Sequence, residues 1–346
     1  MPQKTTRREF MLDGIKNISA LFVAGAMFSG ETADASTIPN KCVAGSLGIS
    51  AKKLQEVEVE IRKIDPNLIG KRIIFSPQWL EYVGNGKPIP SQQFYTWRDR
   101  MDIVHDAYQD LTGPKVDGDT KVYIDVHPKE KLMGNVNAFA HAHSNAICVR
   151  SDHGMFTKGF IPGIVRHDSW DGPMLHELGH VFTTRKKFSA ENETMAEFMV
   201  CYALENIPGA KIGTPNLFGP YTLSTGKQYR HRILQTAYKN FTENKIKTFA
   251  YEGGTAFCYC LMAPVDIVGW DTYKKVFQSY SDKNYVPAVE YAGDTTTVKA
   301  RDLLDRIAHF SGKPDLMASL PDKGKIYQKH FVVESVQAVP KVADNM

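Results

Sequence analysis

The sequence predicts an α+β protein whose N-terminal half mixes strands with helices and whose C-terminal half is mainly helical. Three observations carry this. Short β-branched runs bounded by Gly, Pro or Asn ("KRIIF", "KVYIDVH" and "AICVR") all end by residue 150. From Pro173 onward apolar residues recur at helical spacing, and Pro and Gly close successive segments. A content of 42% hydrophobic and 23% charged residues over 346 positions is the balance of a soluble globular chain, large enough for one big domain or two lobes.

Taken in order, the first segment reads as an address. Arg7 and Arg8 precede the short apolar stretch "ISALFVAGAMF" and the small-residue run "ADA" before Ser36. A charged start, an apolar core and a small-residue cleavage pattern make a signal peptide over residues 1–35. The paired arginines indicate the twin-arginine type. A bacterial protein exported already folded, to the periplasm or beyond, by the twin-arginine machinery is therefore expected. The apolar stretch is shorter than the ~20 residues a spanning helix needs, so no membrane span is expected in the mature chain.

The following "SAKKLQEVEVEIRKI" reads as a polar helix ended by "DPN", and "GKRIIFSP" as a short strand. A helix over "PSQQFYTWRDRMDIVHDAYQDLTG" places Phe94, Trp97, Met101, Val104 and Tyr108 near one face, with Gly113-Pro114 as its stop. "KVYIDVHP" alternates as a strand, and a second strand runs from Ala146 to Val149. Later helices are expected over "YRHRILQTAYKNF", "GGTAFCYCLMAPVDIV", "WDTYKKVFQSY" and "VKARDLLDRIAHF", with "GTPNLFGPYTLSTGKQY" as a loop between helices. Forty-two basic against 38 acidic residues, with no long basic run, exclude a nucleic-acid partner. The five cysteines form an odd set, and Cys201, Cys258 and Cys260 lie in apolar runs where thiols act as small hydrophobes.

The chemistry concentrates in "DGPMLHELGHVF". Residues four apart share a helix face, so His176 and His180 can offer two imidazoles to one metal ion. Glu177 then sits beside the metal without ligating it, placed to take a proton from a water the metal acidifies and return it to a leaving amine. The pattern thus points to one Zn2+ per chain and to peptide-bond hydrolysis. Gly172-Pro173 provides the helix start, and Met174, Leu175, Leu178, Val181 and Phe182 its packing. A catalytic zinc wants a third protein ligand and one open position. No Gly-x-x-His follows "HELGH", whereas the next helix offers Glu191, Glu193 and Glu197. Glu193 is taken as the ligand and Glu197, one turn later, as the carboxylate that fixes a ligand imidazole.

These segments, together with "NETMAEFMVCYALEN", "DIVGWDTYKKVFQSYSD" and "DLLDRIAHFSGKPDL", resemble the enhancin-like, mucin-degrading gluzincins, family sixty of the metallopeptidases, over about residues 120 to 320. The resemblance implies zinc on His176, His180 and Glu193, with Glu177 as the catalytic base. It also implies that "NAFAHAHSNAICV" carries the sheet-edge strand that pairs with an extended substrate, where His141 and His143 face one way. Tyr229 and His231 are further candidates, as stabilisers of the oxyanion.

The expected protein is accordingly zincin-like: a mixed α/β N-terminal lobe, a mainly helical C-terminal lobe, and the active-site helix between them. Its segments would be a signal peptide at 1–35, an N-terminal α/β segment at 36–118, a catalytic domain at 119–335 and a tail at 336–346. The expected activity is a secreted or periplasmic zinc metallopeptidase acting on peptides, proteins or glycoproteins. The alternatives are a zincin-fold periplasmic binding protein for glycans or peptides that performs no hydrolysis, and a zinc amidase acting on cell-wall peptides.

Overall fold

A computed structural model describes residues 50–115, 121–128, 140–143, 145–166, 169–214, 222–243, 256–287, 290–291, 293–320, 323–332 and 338–339. The expected signal segment, 1–35, lies outside the described residues. The first helix, α1 (Ala51–Ile64), starts where the Ser50 side chain accepts the Lys53 N–H, and it buries Leu54, Val57 and Ile61. Strand β1 (Ile73–Phe75) and the long helix α2 (Ser91–Thr112) follow. Helix α2 buries Phe94, Trp97, Met101, Val104 and Tyr108 and ends at Gly113, whose φ of 74° suits glycine. Asp102 on α2 accepts the backbone N–H groups of Lys71 and Arg72 at 2.7 Å and of Ile73 at 2.9 Å, tying the start of β1 to the helix.

One four-stranded sheet has the order β1, β2 (Val122–His127), β4 (Ala146–Arg150), β3 (Ala140–His143). The first three strands are parallel; β3 runs antiparallel to β4 at the edge. All six residues of β2 are buried, so its alternation does not mark one wet face. A central strand with parallel neighbours on both sides is covered on both faces, and here Asp125 and His127 are buried with Oδ2 and Nε2 2.9 Å apart. On the other face, Phe75 meets Phe94 and Trp97 with ring centroids 4.9 and 5.0 Å apart. Trp79, Phe156 and Phe160 extend the cluster, each aromatic pair contributing about 0.5–1.5 kcal/mol beyond its buried area.

A short helix α3 (Ile161–Val165) leads to the central pair, α4 (Gly172–Thr183) and α5 (Asn192–Asn206). Asp171 caps α4 in extended conformation and Pro173 occupies its first turn, where a missing N–H costs nothing. Ten of the twelve α4 residues are buried, which fixes it as an interior helix. The hydroxyl of Tyr108 donates to Leu175 O at 3.0 Å, joining α2 to α4.

The remainder is mainly helical, as expected, with local differences. The stretch expected as a plain loop begins in β5 (Lys211–Thr214), contains β6 (Thr222–Thr225), antiparallel to it, and ends in the first turn of the next helix. Thr-rich β6 pairs with β5 before α6 (Gly226–Thr242), which opens on a capping box between Thr225 and Gln228. The expected helix "GGTAFCYCLMAPVDIV" is two helices, α7 (Ala256–Met262) and α8 (Val265–Val268), because Pro264 cannot continue the ladder of N–H donors. Helices α9 (Trp270–Ser279), α10 (Thr296–Phe310), α11 (Leu316–Ser319) and α12 (Lys323–Phe331) complete the layer. Two residues of the expected tail, Ala338–Val339, form β8 and pair with β7 (Glu290–Tyr291). Cys201, Cys258 and Cys260 are buried and carry no disulfide, and Cys148 is disulfide-bonded. Among the described residues no helix is long and apolar enough to cross a membrane.

Candidate metal centre

Helix α4 presents His176 and His180 on one face, their rings 4.8 Å apart and nearly perpendicular. Helix α5 supplies the acids. Its start is set by Glu191, whose carboxylate accepts the N–H groups of Glu193 and Thr194, so this acid caps the helix and does not reach the histidines. Two positions into the helix, Glu193 places Oε2 3.1 Å from His176 Nε2 and Oε1 3.4 Å from His180 Nε2. One atom from each of His176, His180 and Glu193 lies within 4.8 Å of the others. One turn on, Glu197 Oε2 is 3.1 Å from His176 Nδ1.

The close approach of the two helices depends on Gly179. A Cβ there would lie 2.9 Å from Ala196 O and 3.0 Å from Ala196 Cα, both backbone atoms of α5. Gly179→Ala is therefore expected to push α5 outward and to cost about 1–3 kcal/mol. Thermal unfolding should show a midpoint several degrees lower; an unchanged midpoint would mean that the helices are not held at this distance.

Burial alone would lower the pKa of His176, but its hydrogen bonds to Glu193 and Glu197 win and push it up to about 10. Glu193 moves the other way: the two imidazoles beside it outweigh its burial and hold its carboxyl well below the usual range. Glu177 is governed chiefly by burial, which pushes its carboxyl up against the opposing pull of His180 and His176. The backbone N–H of Ala142, on the outer strand β3, lies near enough to add a weaker pull in the same direction as the histidines.

These donors fit a zinc ion. Two imidazole nitrogens and one carboxylate converge, three donors of the kind a catalytic zinc takes, and with Glu197 at Nδ1 it is Nε2 of His176 that would ligate. Of the residues expected from sequence, His176, His180, Glu193 and Glu197 come together, with Glu177 between the two histidines in the chain. His141 and His143 flank Ala142 in β3, the strand nearest Glu177 in the sheet. The oxyanion candidates fall elsewhere. The Tyr229 hydroxyl donates to Glu197 Oε1, behind the histidine, and His231 Nε2 is 2.8 Å from Asp266 on the protein surface. The sequence reading missed Ala142, whose nearness to Glu177 depends on where β3 lies in the sheet.

No family model, curated protein or solved structure matches the chain.

Proposed function

We propose that the chain is an exported zinc-dependent peptidase of the gluzincin type, with a zincin-like arrangement of edge strand and metal helix. The observation that carries this reading is the convergence of His176, His180 and Glu193 beside a half-buried Glu177 that does not belong to the ligand set. Zinc bound there would polarise a scissile carbonyl and lower the pKa of water in its open position toward ~7.

The chain's own residues supply the remainder. Glu177, its carboxyl raised by burial, is suited to take the proton of the attacking water and deliver it to the leaving amine. The backbone of Ala142 lies near that carboxylate, and β3, the outer strand of the sheet among the described residues, could pair with an extended peptide. Glu197 fixes the His176 ring. Peptides, proteins or glycoproteins are the proposed substrates, met in the periplasm or outside the cell if Arg7, Arg8 and the apolar stretch after them act as the twin-arginine signal expected from the sequence. The disulfide at Cys148 agrees with an oxidising compartment.

The test is digestion of a peptide and glycoprotein library, read by mass spectrometry, with and without a zinc chelator. New amine termini that disappear on chelation and return with zinc are expected. A zinc-loaded chain that cuts nothing in such a library would sink the peptidase reading.

A further inference from the structure

We propose that Tyr229 is a positioning residue for the metal centre, acting through Glu197 to hold His176 with Nε2 toward the metal position. The proposal rests on the reading of His176 as a zinc ligand. It starts from two consecutive hydrogen bonds: Tyr229 OH donates to Glu197 Oε1, and Glu197 Oε2 meets His176 Nδ1 at 3.1 Å. Glu197 is only 5% exposed, so water does not readily replace either partner. Two other polar groups border this carboxylate, Tyr108 and Cys201. The Tyr108 hydroxyl is directed to Leu175 O, and a buried thiol is a weak donor, so the hydroxyl that Glu197 receives is that of Tyr229.

The placement of Tyr229 is built into the helix packing. Gly226 opens α6 against α5, where a Cβ would overlap the backbone of Leu204 and Glu205. Arg230, next to Tyr229 in the chain and 1% exposed, donates Nε to Glu205 Oε1 at 2.6 Å and NH2 to Asp266 Oδ1 at 2.9 Å. The first turn of α6 is thus clamped to α5 two turns beyond Glu197, and this rigid contact aims the tyrosine at the carboxylate. A bond at Oε1 sets the rotation of the carboxyl group, and with it the direction in which Oε2 meets the imidazole.

The experiment measures zinc affinity by competition with a chromophoric chelator for the full chain, Tyr229→Phe, Glu197→Gln and the double variant. Partners behind a ligating histidine are worth about 10–100-fold in metal affinity. Tyr229→Phe is expected at about the lower end, tenfold, and the double variant is expected to bind no more weakly than Glu197→Gln alone. Parent affinity in Tyr229→Phe, or losses that add independently in the double variant, would overturn the proposal. Should Tyr229→Phe not fold, nitrogen-15 NMR of histidine-labelled, zinc-loaded parent decides: a proton on Nδ1 of His176 is expected, and a proton on Nε2 overturns the idea. A parent that binds no zinc removes the metal reading and this proposal together. Zinc binding without peptide hydrolysis removes only the peptidase.

Discussion

Glu177→Gln is expected to bind one zinc per chain as the parent does and to lose about 10²–10⁴-fold in kcat, the range general acid–base catalysis contributes. That loss corresponds to roughly 2.7–5.5 kcal/mol of transition-state stabilisation. The amide has the shape of the carboxylate, so the packing around β3 and α4 is expected to survive. What the amide cannot do is take a proton. Because Glu177 lies outside the His176, His180 and Glu193 set, the metal has no reason to leave. The check pairs metal analysis with turnover on a cleaved peptide. Equal turnover at full zinc occupancy would remove Glu177 from the chemistry.

Glu193→Ala has the opposite signature, because the metal is lost first. Glu193 is the residue whose two oxygens face both histidines, and without it the site keeps two donors on a single helix. Zinc affinity should fall by more than about 100-fold, the upper end of what an outer partner costs. In the parent, zinc should raise the unfolding midpoint, since a ligand at 100 times its Kd stabilises by about 2.7 kcal/mol. In Glu193→Ala that rise should vanish at the same zinc concentration. An unchanged affinity would show that another group completes the site.

The pH dependence of the parent follows from the same contacts. Below about pH 10 the metal-free site holds a proton on His176, stabilised by Glu193 and Glu197, and zinc must displace it. Zinc uptake at neutral pH should therefore release protons, and the apparent affinity should rise with pH up to that value. Calorimetry in buffers of different ionisation enthalpy would detect the release; none at pH 7 would mean that the histidine is already neutral.

Much of the site was legible because it obeys local rules. His176 and His180 share a face by helical spacing alone, and Gly172-Pro173 announced where their helix begins. The acids were harder. Spacing placed Glu193 and Glu197 on one face, but Glu191 differs from them only in lying at the helix start, where its side chain caps N–H groups. Tyr229 is a candidate oxyanion stabiliser by sequence, whereas in the structure its hydroxyl meets Glu197. Its direction depends on how α6 meets α5 at Gly226 and Arg230, contacts between segments more than twenty residues apart.

Local sequence by itself determined the two imidazoles, the intervening carboxylate and the helix that carries them, since all three lie within one stretch read by a single 3.6-residue period. It also determined the coarse order, a mixed α/β half before a mainly helical one. Tertiary structure alone decided which glutamate reaches both histidines, that Ala142 lies near Glu177, and that Tyr229 supports Glu197 from behind. Those contacts are set by the distance at which α4 and α5 pack, which the missing side chain of Gly179 permits, and by the position of β3 at the sheet edge. Periodicity specifies which face a residue occupies; only packing specifies what that face meets.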